Sequence, residues 1–460
     1  MQNSRNLPSL HAKNAMVFEN KEIKTGRMIV NFKCKNYKSY KDEFVFSFEA
    51  LDNEYNPNNV SAVELEDGSS LRLLKSAGIF GANASGKSNV IWALYSFVYL
   101  VVNSRNFDVR TPVPVYLPFA FNGDNSGLTE MELDFIAEKR RYRYAIKFDN
   151  QFHLDRLCEV VSGAEIPVYE IKMNQDKNGL EFRLGDAWRG EDLNLSKYVG
   201  STQLFLSVAG INKRSGLNEV YGAIADIMAV PIGDTINLKA INNTVSDNIL
   251  KNENTEIFSR LKKLVKIADV GVSDIYFREH TADEFNFPDS VPEPARNAFI
   301  QSQKWEIKMV HRAYGKDYSL PMDIESTGTK YLFGMGARVL ETLNRGGLLA
   351  SDEMNIATHP ELFKLLVSLF HNPTSNPKNA QLIFTTHDAS VTSDNMFRAD
   401  QIWFAEKNEN GESELFSAQD FDDMSINIPF EQWYRSGRFG ALPKFGGIDY
   451  IFSDGKEDKE

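Results

Sequence analysis

Apolar and polar positions divide the chain into strand-like and helix-like stretches. Short runs rich in β-branched and aromatic residues, such as 44–48 and 132–136, predict strands. Apolar residues recur at helical spacing over 90–100 and again over 257–268, where they would form one face of a helix. The pattern favours an α/β protein: a mixed β-sheet core with antiparallel β additions and an inserted helical lobe.

One apolar run leads into a glycine-rich loop. It covers 77–80 and is followed by Gly81-Ala82-Asn83-Ala84-Ser85-Gly86-Lys87-Ser88, after which the helical pattern begins. Glycines let backbone N–H groups close around phosphates, a lysine places its charge on the β- and γ-phosphates, and a serine hydroxyl binds Mg²⁺. The sequence therefore predicts a nucleoside triphosphate site, with ATP expected, formed by Gly81, Asn83, Ala84, Ser85, Gly86, Lys87, Ser88 and Asn89.

Two carboxylates follow another apolar run far downstream. The run at 347–351 ends in Asp352 and Glu353, as expected of a buried strand that delivers acidic side chains to a nucleotide. We expect Asp352 to hold Mg²⁺, partly through water, as Ser88 does directly. Glu353 is expected to orient and deprotonate the attacking water. A polar strand end without a chemical role is the alternative.

A histidine and a helix start accompany the carboxylates. The strand predicted at 380–385 leads to His387, which can reach a γ-phosphate and would join Glu353 and Lys87 as a catalytic residue; a structural histidine is the alternative. Ser326 and Gly328 open a helix predicted to run to about residue 344. A helix N-terminus attracts anions, but a serine there is also an ordinary N-cap, and both roles are compatible.

Along the chain the glycine loop is followed, after a large insert, by the helix start at Ser326, the carboxylate pair and the strand-end histidine. Elements in this order resemble the ATP-binding-cassette (ABC) ATPases of the SMC-like and OLD-like branch. Five further motifs are similar to the RloA/AbiL abortive-infection family of AAA-type ATPases, to which the ATPase subunit of the PARIS anti-phage system is related. They are Asn36-Tyr37-Lys38-Ser39-Tyr40, Phe205-Leu206-Ser207, His359-Pro360, Thr385-Thr386-His387-Asp388 and Gly437-Arg438-Phe439-Gly440-Ala441-Leu442-Pro443. The resemblance spans residues 28–443 and implies a P-loop NTPase fold of the ABC-ATPase type.

The resemblance implies an ATPase subunit of a bacterial anti-phage defence system. In such ATPases two copies sandwich ATP, so that Ser326 and Gly328 would complete the partner copy's site in trans. Expected partners are thus a second copy, in a homodimer or larger oligomer, a separate TOPRIM-like nuclease or toxin as effector, and a phage trigger protein. The stretch after His387 is shorter than the nuclease domain that OLD-type proteins append. The alternatives are a RecF/SMC-like DNA-binding repair clamp and a scaffold that ATP stabilises with scarcely any hydrolysis.

The motif spacing divides the chain into six segments. They are a polar leader (1–27), an ATPase lobe with the P-loop (28–146), a β-rich segment (147–200), a helical lobe (201–275), the second ATPase half (276–410) and a C-terminal segment (411–460). The glutamine that many cassette ATPases carry between lobes has no clear counterpart, and Asn122 is the candidate for its place. No heptad pattern is sustained, so long coiled-coil arms are not expected.

Composition narrows the cellular setting. The 460 residues are 42% hydrophobic, so the chain can bury a large core. We find no apolar run long enough to span a membrane and no signal-peptide core, and we expect Cys34 and Cys158 to be reduced thiols, which together predict a cytoplasmic protein.

The net charge of −12 argues against a broad nucleic-acid surface. Residues 139–144 alternate basic and aromatic side chains, a pattern that favours a solvated hairpin edge over its alternative, a strand that binds nucleic acid. The cations Arg435, Arg438 and Lys444 indicate either a docking patch for a protein or nucleic acid, or a surface turn fixed by glycines.

Overall fold

A computed structural model describes residues 26–121, 127–174, 179–191, 197, 199–231, 255–268, 271–302, 305–356, 358–392, 396–421 and 429–440. Within these residues the α-helices are Lys87–Asn103 (α1), Phe205–Ala209 (α2), Asn218–Ala225 (α3), Thr255–Ile267 (α4), Glu293–Ser302 (α5), Thr327–Arg345 (α6), Pro360–His371 (α7) and Phe430–Arg435 (α8).

The strands form four sheets. In chain order they are Met28–Lys35 (β1), Phe44–Ser47 (β2), Val60–Glu64 (β3), Ser70–Leu74 (β4), Ser76–Phe80 (β5), Thr129–Ala137 (β6), Arg140–Phe148 (β7), Phe152–Val161 (β8), Ala164–Met173 (β9), Leu180–Leu184 (β10), Met228–Val230 (β11), Val272–Glu279 (β12), Trp305–Ala313 (β13), Lys316–Pro321 (β14), Leu348–Ser351 (β15), Gln381–Thr385 (β16), Ile402–Lys407 (β17) and Ser413–Ser417 (β18). The sheet orders are β11-β15-β16-β5-β17-β18, β10-β9-β8-β7-β6-β1-β2, β12-β13-β14 and β3-β4.

The central sheet is the six-stranded one. Its strands β11, β15, β16, β5 and β17 run parallel, and only β18 is antiparallel to its neighbour. The three strands β5, β15 and β16 are buried at every position, as expected of parallel strands covered on both faces. Their carboxyl ends therefore meet at one edge, where loops present polar side chains.

Side chains alternate between the two faces of this sheet and build two cores. Ile79 belongs to the core that contains α1, whereas the next residue, Phe80, belongs to the core that contains α6 and α7. The same alternation separates Ala350 from Leu349. This layered arrangement, with an antiparallel seven-stranded sheet added beyond α1, confirms the predicted α/β class with a mixed core and antiparallel additions.

A buried glutamine joins the two large sheets. Gln381, the first residue of β16, accepts a hydrogen bond from the Ile29 backbone N–H at 2.7 Å and donates to the carbonyl oxygens of Ile29 (3.0 Å) and Leu74 (3.1 Å). The register of β1 with β6 shifts between Ile29 and Asn31. At this irregularity the side-chain amide replaces a strand partner for the Ile29 backbone.

The structure differs from the sequence-based description in two places. Residues 139–144 are not a sheet edge, because β7 pairs with β6 on one side and β8 on the other. Its arginines are paired: Arg141 and Arg143 both bind Asp134, at 2.8 and 3.0 Å. Residues 228–230, within the stretch expected to be helical, form a strand of the central sheet, since a three-residue strand carries too little periodicity to recognise.

Several sequence-based expectations fall outside the described residues. They concern the leader 1–25, Asn122, residues 232–254 of the helical lobe, Lys444 and the end of the C-terminal motif from Ala441 onward. Both cysteines are described, and they are buried free thiols. Among the described helices, none combines the length and apolarity that a membrane span requires.

Candidate functional site

The glycine-rich loop connects β5 to α1 at the carboxyl edge of the central sheet. Gly81 and Gly86 have φ of 150° and 118°, and Ala84 between them has φ of 64°. A Cβ atom at Gly81 would lie 2.4 Å from the Ala405 carbonyl oxygen, and one at Gly86 would lie 2.5 Å from Ser413 Oγ. Both positions therefore require glycine, for backbone conformation and for space.

Hydroxyl groups hold the loop from behind. Ser413 Oγ lies 2.7 Å from the Ser85 carbonyl oxygen, to which it can donate, and 2.7 Å from Ser39 Oγ. Asn89 Nδ2 donates to Ser39 Oγ at 2.7 Å. The side chain of Asn89, which the sequence predicts to bind ATP, thus contacts the loop before β2, while Asn83 and Ala84 are exposed at the mouth of the loop.

Lys87 lies inside the curve of the loop. Its Nζ donates to the carbonyl oxygens of Gly81 (2.7 Å) and Ala82 (2.8 Å), and the residue is buried. Burial lowers the pKa of Lys87, and the negative charges of Glu353 and Asp352 oppose that shift. An ammonium group has three donors, so one N–H remains to meet a phosphate oxygen.

The two carboxylates extend from the end of β15. Asp352 is fully buried, and its backbone N–H donates to the Val230 carbonyl of the neighbouring strand at 3.0 Å. Thr385 Oγ1, at the end of β16, donates to Asp352 Oδ1 at 2.5 Å and accepts from the Glu353 backbone N–H at 2.8 Å. Glu353 has φ of 48°, a left-handed conformation that is costly for a residue with a side chain.

His387 meets Glu353 at the mouth of the site. The distance from His387 Nδ1 to Glu353 Oε2 is 3.0 Å. The histidine side chain is 55% exposed, whereas that of the glutamate is only 11% exposed. The strand ends therefore bring Glu353, His387 and Asp352 together, and the charges of Glu353 and Asp352 are felt by Lys87.

The helix start at Ser326 is exposed. Ser326 is the N-cap of α6, since its Oγ accepts from the Thr329 backbone N–H at 3.1 Å. The capping role named as an alternative is thus observed, and the exposure of Ser326 and Thr327 leaves the helix N-terminus open to solvent. His359 and Pro360 likewise form the N-cap and first turn of α7.

Lys38 lies near the carboxylates, although the sequence assigned it no role. Its φ is 50°, its backbone N–H donates to Leu117 O at 2.7 Å, and its Nζ lies 4.3 Å from the centre of the Trp92 ring. Burial lowers the pKa of Lys38 to about 8, and the negative charge of Asp352 opposes the shift. In the sequence, only the motif at 36–40 pointed to Lys38, and that motif does not indicate that the lysine lies near Asp352 at the end of β15.

These residues fit Mg²⁺–ATP. The glycine loop is a concave run of backbone with positive φ at three positions, which suits phosphate oxygens. Ser88 stands in the first turn of α1, which follows β5, and Asp352 directly follows β15 in the same parallel sheet. A hydroxyl and a carboxylate together with phosphate oxygens and water are the oxygen ligands that Mg²⁺ prefers.

Comparison with known proteins gives a family match and similarities to solved structures. A family model described as "AAA domain, putative AbiEii toxin, Type IV TA system" matches residues 208–394. No curated protein matches the sequence. The Smc head domain of Pyrococcus furiosus, solved with an extended coiled coil and bound to the C-terminal domain of ScpA, is similar over 90% of this chain and 99% of that chain. The identity is 12% and the TM-score 0.40, too low to support a functional conclusion.

The matched residues include Asp352, Glu353 and His387, and the glycine loop lies before them in the chain. The loop joins a buried parallel strand to a helix, and its lysine lies within the influence of the charges of Glu353 and Asp352. The family match over 208–394 and the geometry of the loop that precedes it both support the P-loop ATPase superfamily.

Proposed function

We propose that this chain binds Mg²⁺–ATP and hydrolyses it to ADP and phosphate. The observation that supports the proposal best is the meeting of Lys87, Asp352, Glu353 and His387 at the carboxyl edge of one parallel sheet. A cation for the phosphates, a carboxylate for the metal and a carboxylate for the water are the groups that phosphoryl transfer to water requires. The histidine supplies a further contact for the γ-phosphate.

Each residue has a distinct role in this proposal. Lys87 binds the β- and γ-phosphates with its remaining N–H, while Gly81 and Gly86 allow the loop N–H groups to surround them. Ser88 and Asp352 hold the Mg²⁺, which neutralises charge on the phosphates when bound. Glu353 accepts a proton from the attacking water. Its contact with His387 keeps the carboxylate at the mouth, where that water enters.

The site is proposed to be composite. Ser326, Thr327 and Gly328 form an accessible helix N-terminus, and an exposed N-terminus can bind an anion supplied by another molecule. The start of this helix is anchored, because His311 Nε2 lies 2.6 Å from Glu325 Oε1. In a dimer with ATP at the interface, nucleotide adds contacts only in the closed state and thereby controls assembly.

We further propose that ATP-dependent assembly controls a separate toxin or nuclease in a bacterial anti-phage defence system. The motifs at 36–40, 385–388 and 437–443 support the abortive-infection branch, and the description of the matching family, an AAA domain, names a toxin and a type IV TA system. The DNA-clamp alternative gains no support from the basic strand β7, because Arg141 and Arg143 are paired with acidic groups.

Replacement of the general base tests the hydrolysis proposal. Glu353→Gln should retain Mg²⁺–ATP binding and slow steady-state phosphate release by about 10²-fold or more, because only the proton acceptor is removed. Glu361→Gln is the matched control, since Glu361 is exposed on α7 and pairs with Lys364. Phosphate release at the wild-type rate in Glu353→Gln would contradict the assignment.

The biological role needs a separate test. Co-purification with the product of an adjacent gene, dependent on ATP, is expected for a defence subunit. DNA affinity that falls steeply with salt would instead support the clamp.

A further inference from the structure

We propose that Thr385 is a positioning residue for both carboxylates. Through one hydroxyl group it fixes the side chain of Asp352 and the backbone of Glu353. The inference rests on the proposed function in that it concerns how Mg²⁺ and the attacking water are placed. It names a residue that touches neither nucleotide nor metal and acts through its neighbours.

Thr385 stands between the carboxylate strand and the strand that precedes the P-loop. Its strand, β16, pairs in parallel with β15 on one side and β5 on the other, with Thr385 opposite Ile79. The pairing of β16 with β15 ends at Phe384, which lies opposite Ser351. Thr385 is the next residue of β16 and is therefore level with Asp352, the residue that follows Ser351. Thr385 is completely buried, so water does not compete for its hydroxyl.

The hydroxyl has the capacity for both contacts. It carries one proton, which it donates to Asp352 Oδ1 at 2.5 Å, and its lone pairs accept the Glu353 N–H at 2.8 Å. Donation to an ionised carboxylate is charge-assisted and therefore stronger than a neutral hydrogen bond. The two bonds share one oxygen atom, so they set the position of the Asp352 carboxylate relative to the Glu353 backbone.

The second bond stabilises an unfavourable backbone conformation. Glu353 has φ of 48°, a region that is unfavourable for a residue with a Cβ atom. That conformation turns the Glu353 side chain from the buried strand towards His387, 3.0 Å away. Without the bond to Thr385 we expect the turn after β15 to sample other conformations and the carboxylate to leave its place at the mouth.

The test compares three variants. Thr385→Val keeps the side-chain shape and removes both hydrogen bonds, whereas Thr385→Ser keeps the hydroxyl. Ser351→Ala is the matched control, because Ser351 is a fully buried hydroxyl one residue before Asp352 for which the described residues provide no hydrogen-bond partner. All three are purified as full chains, and their thermal unfolding is recorded alongside the wild type.

Two readouts do not require turnover. The first is the Mg²⁺ concentration that gives half-maximal binding of a fluorescent ATP analogue; Thr385→Val should raise it about 10- to 100-fold, the usual effect of losing an outer-shell partner. The second is residue-resolved hydrogen exchange, in which the Glu353 amide should be protected in the wild type and exposed in Thr385→Val. Thr385→Ser should rescue both values, and Ser351→Ala should match the wild type in both.

The outcomes separate this inference from the proposed function. A wild-type protein that binds Mg²⁺–ATP but never releases phosphate would overturn hydrolysis, while the two readouts would still decide the role of Thr385. Wild-type Mg²⁺ dependence in Thr385→Val would overturn the inference. If that variant does not fold, hydrogen exchange of the wild type alone tests the inference. A Glu353 amide that exchanges without protection would show that its hydrogen bond to Thr385 is absent in solution and would overturn the inference.

Discussion

Single side chains at the site differ in how far burial changes their chemistry. Lys87 and Lys38 are both cations near Asp352, and burial lowers the pKa of each. For Lys38 the pKa falls to about 8, within the range where enzymes are assayed. A charge that is present at neutral pH and lost slightly above it makes Lys38 the residue whose contribution is easiest to isolate.

We predict that the affinity for ATP declines as the pH rises above 8 and that Lys38 accounts for part of the decline. A lysine with a lowered pKa is charged below that value and neutral above it, so its attraction for phosphate is lost as the pH rises. The bound phosphates favour the charged form of Lys38, so the loss of affinity extends to pH values above the pKa of the free protein. Equilibrium binding measured between about pH 7 and 9.5 should show that the affinity of the wild type for ATP falls about three- to tenfold.

Lys38→Arg is the control for this prediction. Arginine keeps its charge throughout that range, while Lys87 is unchanged in both proteins. The variant should therefore show a flatter profile than the wild type. Equal declines in the two proteins would assign the pH dependence to Lys87 or to the nucleotide and remove Lys38 from the site.

At the scale of elements, Gln381 links β16 to β1 and to the end of β4. Two hydrogen bonds of its buried side-chain amide replace strand pairing at Ile29, where β1 is irregular, and a third is donated to the Leu74 carbonyl oxygen. The carboxyl end of the same strand carries Thr385 and leads to His387. The seven-stranded antiparallel sheet is thus attached to the amino end of β16, and the carboxyl end of the same strand lies at the candidate site.

We predict that Gln381→Leu lowers the free energy of unfolding by about 2–4 kcal/mol, because it leaves the buried N–H of Ile29 without its partner. Urea denaturation followed by fluorescence measures the change. The control is Gln432→Leu on the exposed surface of α8, which should change stability by less than about 0.5 kcal/mol. A Gln381→Leu protein as stable as the control would show that apolar packing alone holds the two sheets together.

Elements with a strong local pattern could be predicted from the sequence, and tertiary relationships could not. The helix expected to end near residue 344 extends over Thr327–Arg345, and the strand expected at 380–385 is Gln381–Thr385. The helix carries a long apolar pattern, and the strand has an apolar centre. The three residues of β11 and the interior place of β7 depend on partners distant in sequence. The contacts of Lys38 and Thr385 arise only when separate strand ends meet, so no role for these two residues could be predicted from the sequence.

At the scale of the whole molecule, the site faces outward on a chain whose cores lie on both sides of one sheet. His387 and Ser326 are exposed, in contrast to the buried Asp352. A second copy would cover exposed groups without disturbing either core. If the site is composite, a variant that has lost ATP hydrolysis should regain part of it when it is mixed with a second variant that supplies the missing group.

Ser326→Arg should bind ATP but fail to hydrolyse it, because a bulky cation occupies the helix start that meets the partner's γ-phosphate. Lys87→Ala should fail to bind ATP tightly. Mixed and allowed to exchange, the two proteins should recover partial phosphate release, since one site then combines an intact Lys87 with an intact Ser326. Ser70→Arg, at an exposed position of β4, controls for added charge. Full activity in Ser326→Arg, or no recovery after verified exchange, would leave Ser326 as a helix cap only.

The support behind the glycine loop has a kinetic consequence. Ser413, Ser39 and the Ala405 carbonyl pack closely against the loop, and these contacts hold the loop in one shape. A cradle already shaped for its ligand loses little conformational entropy on binding. Nucleotide capture should then approach the rate of an unhindered encounter, and differences in affinity among variants of the site should appear chiefly in how long ATP stays.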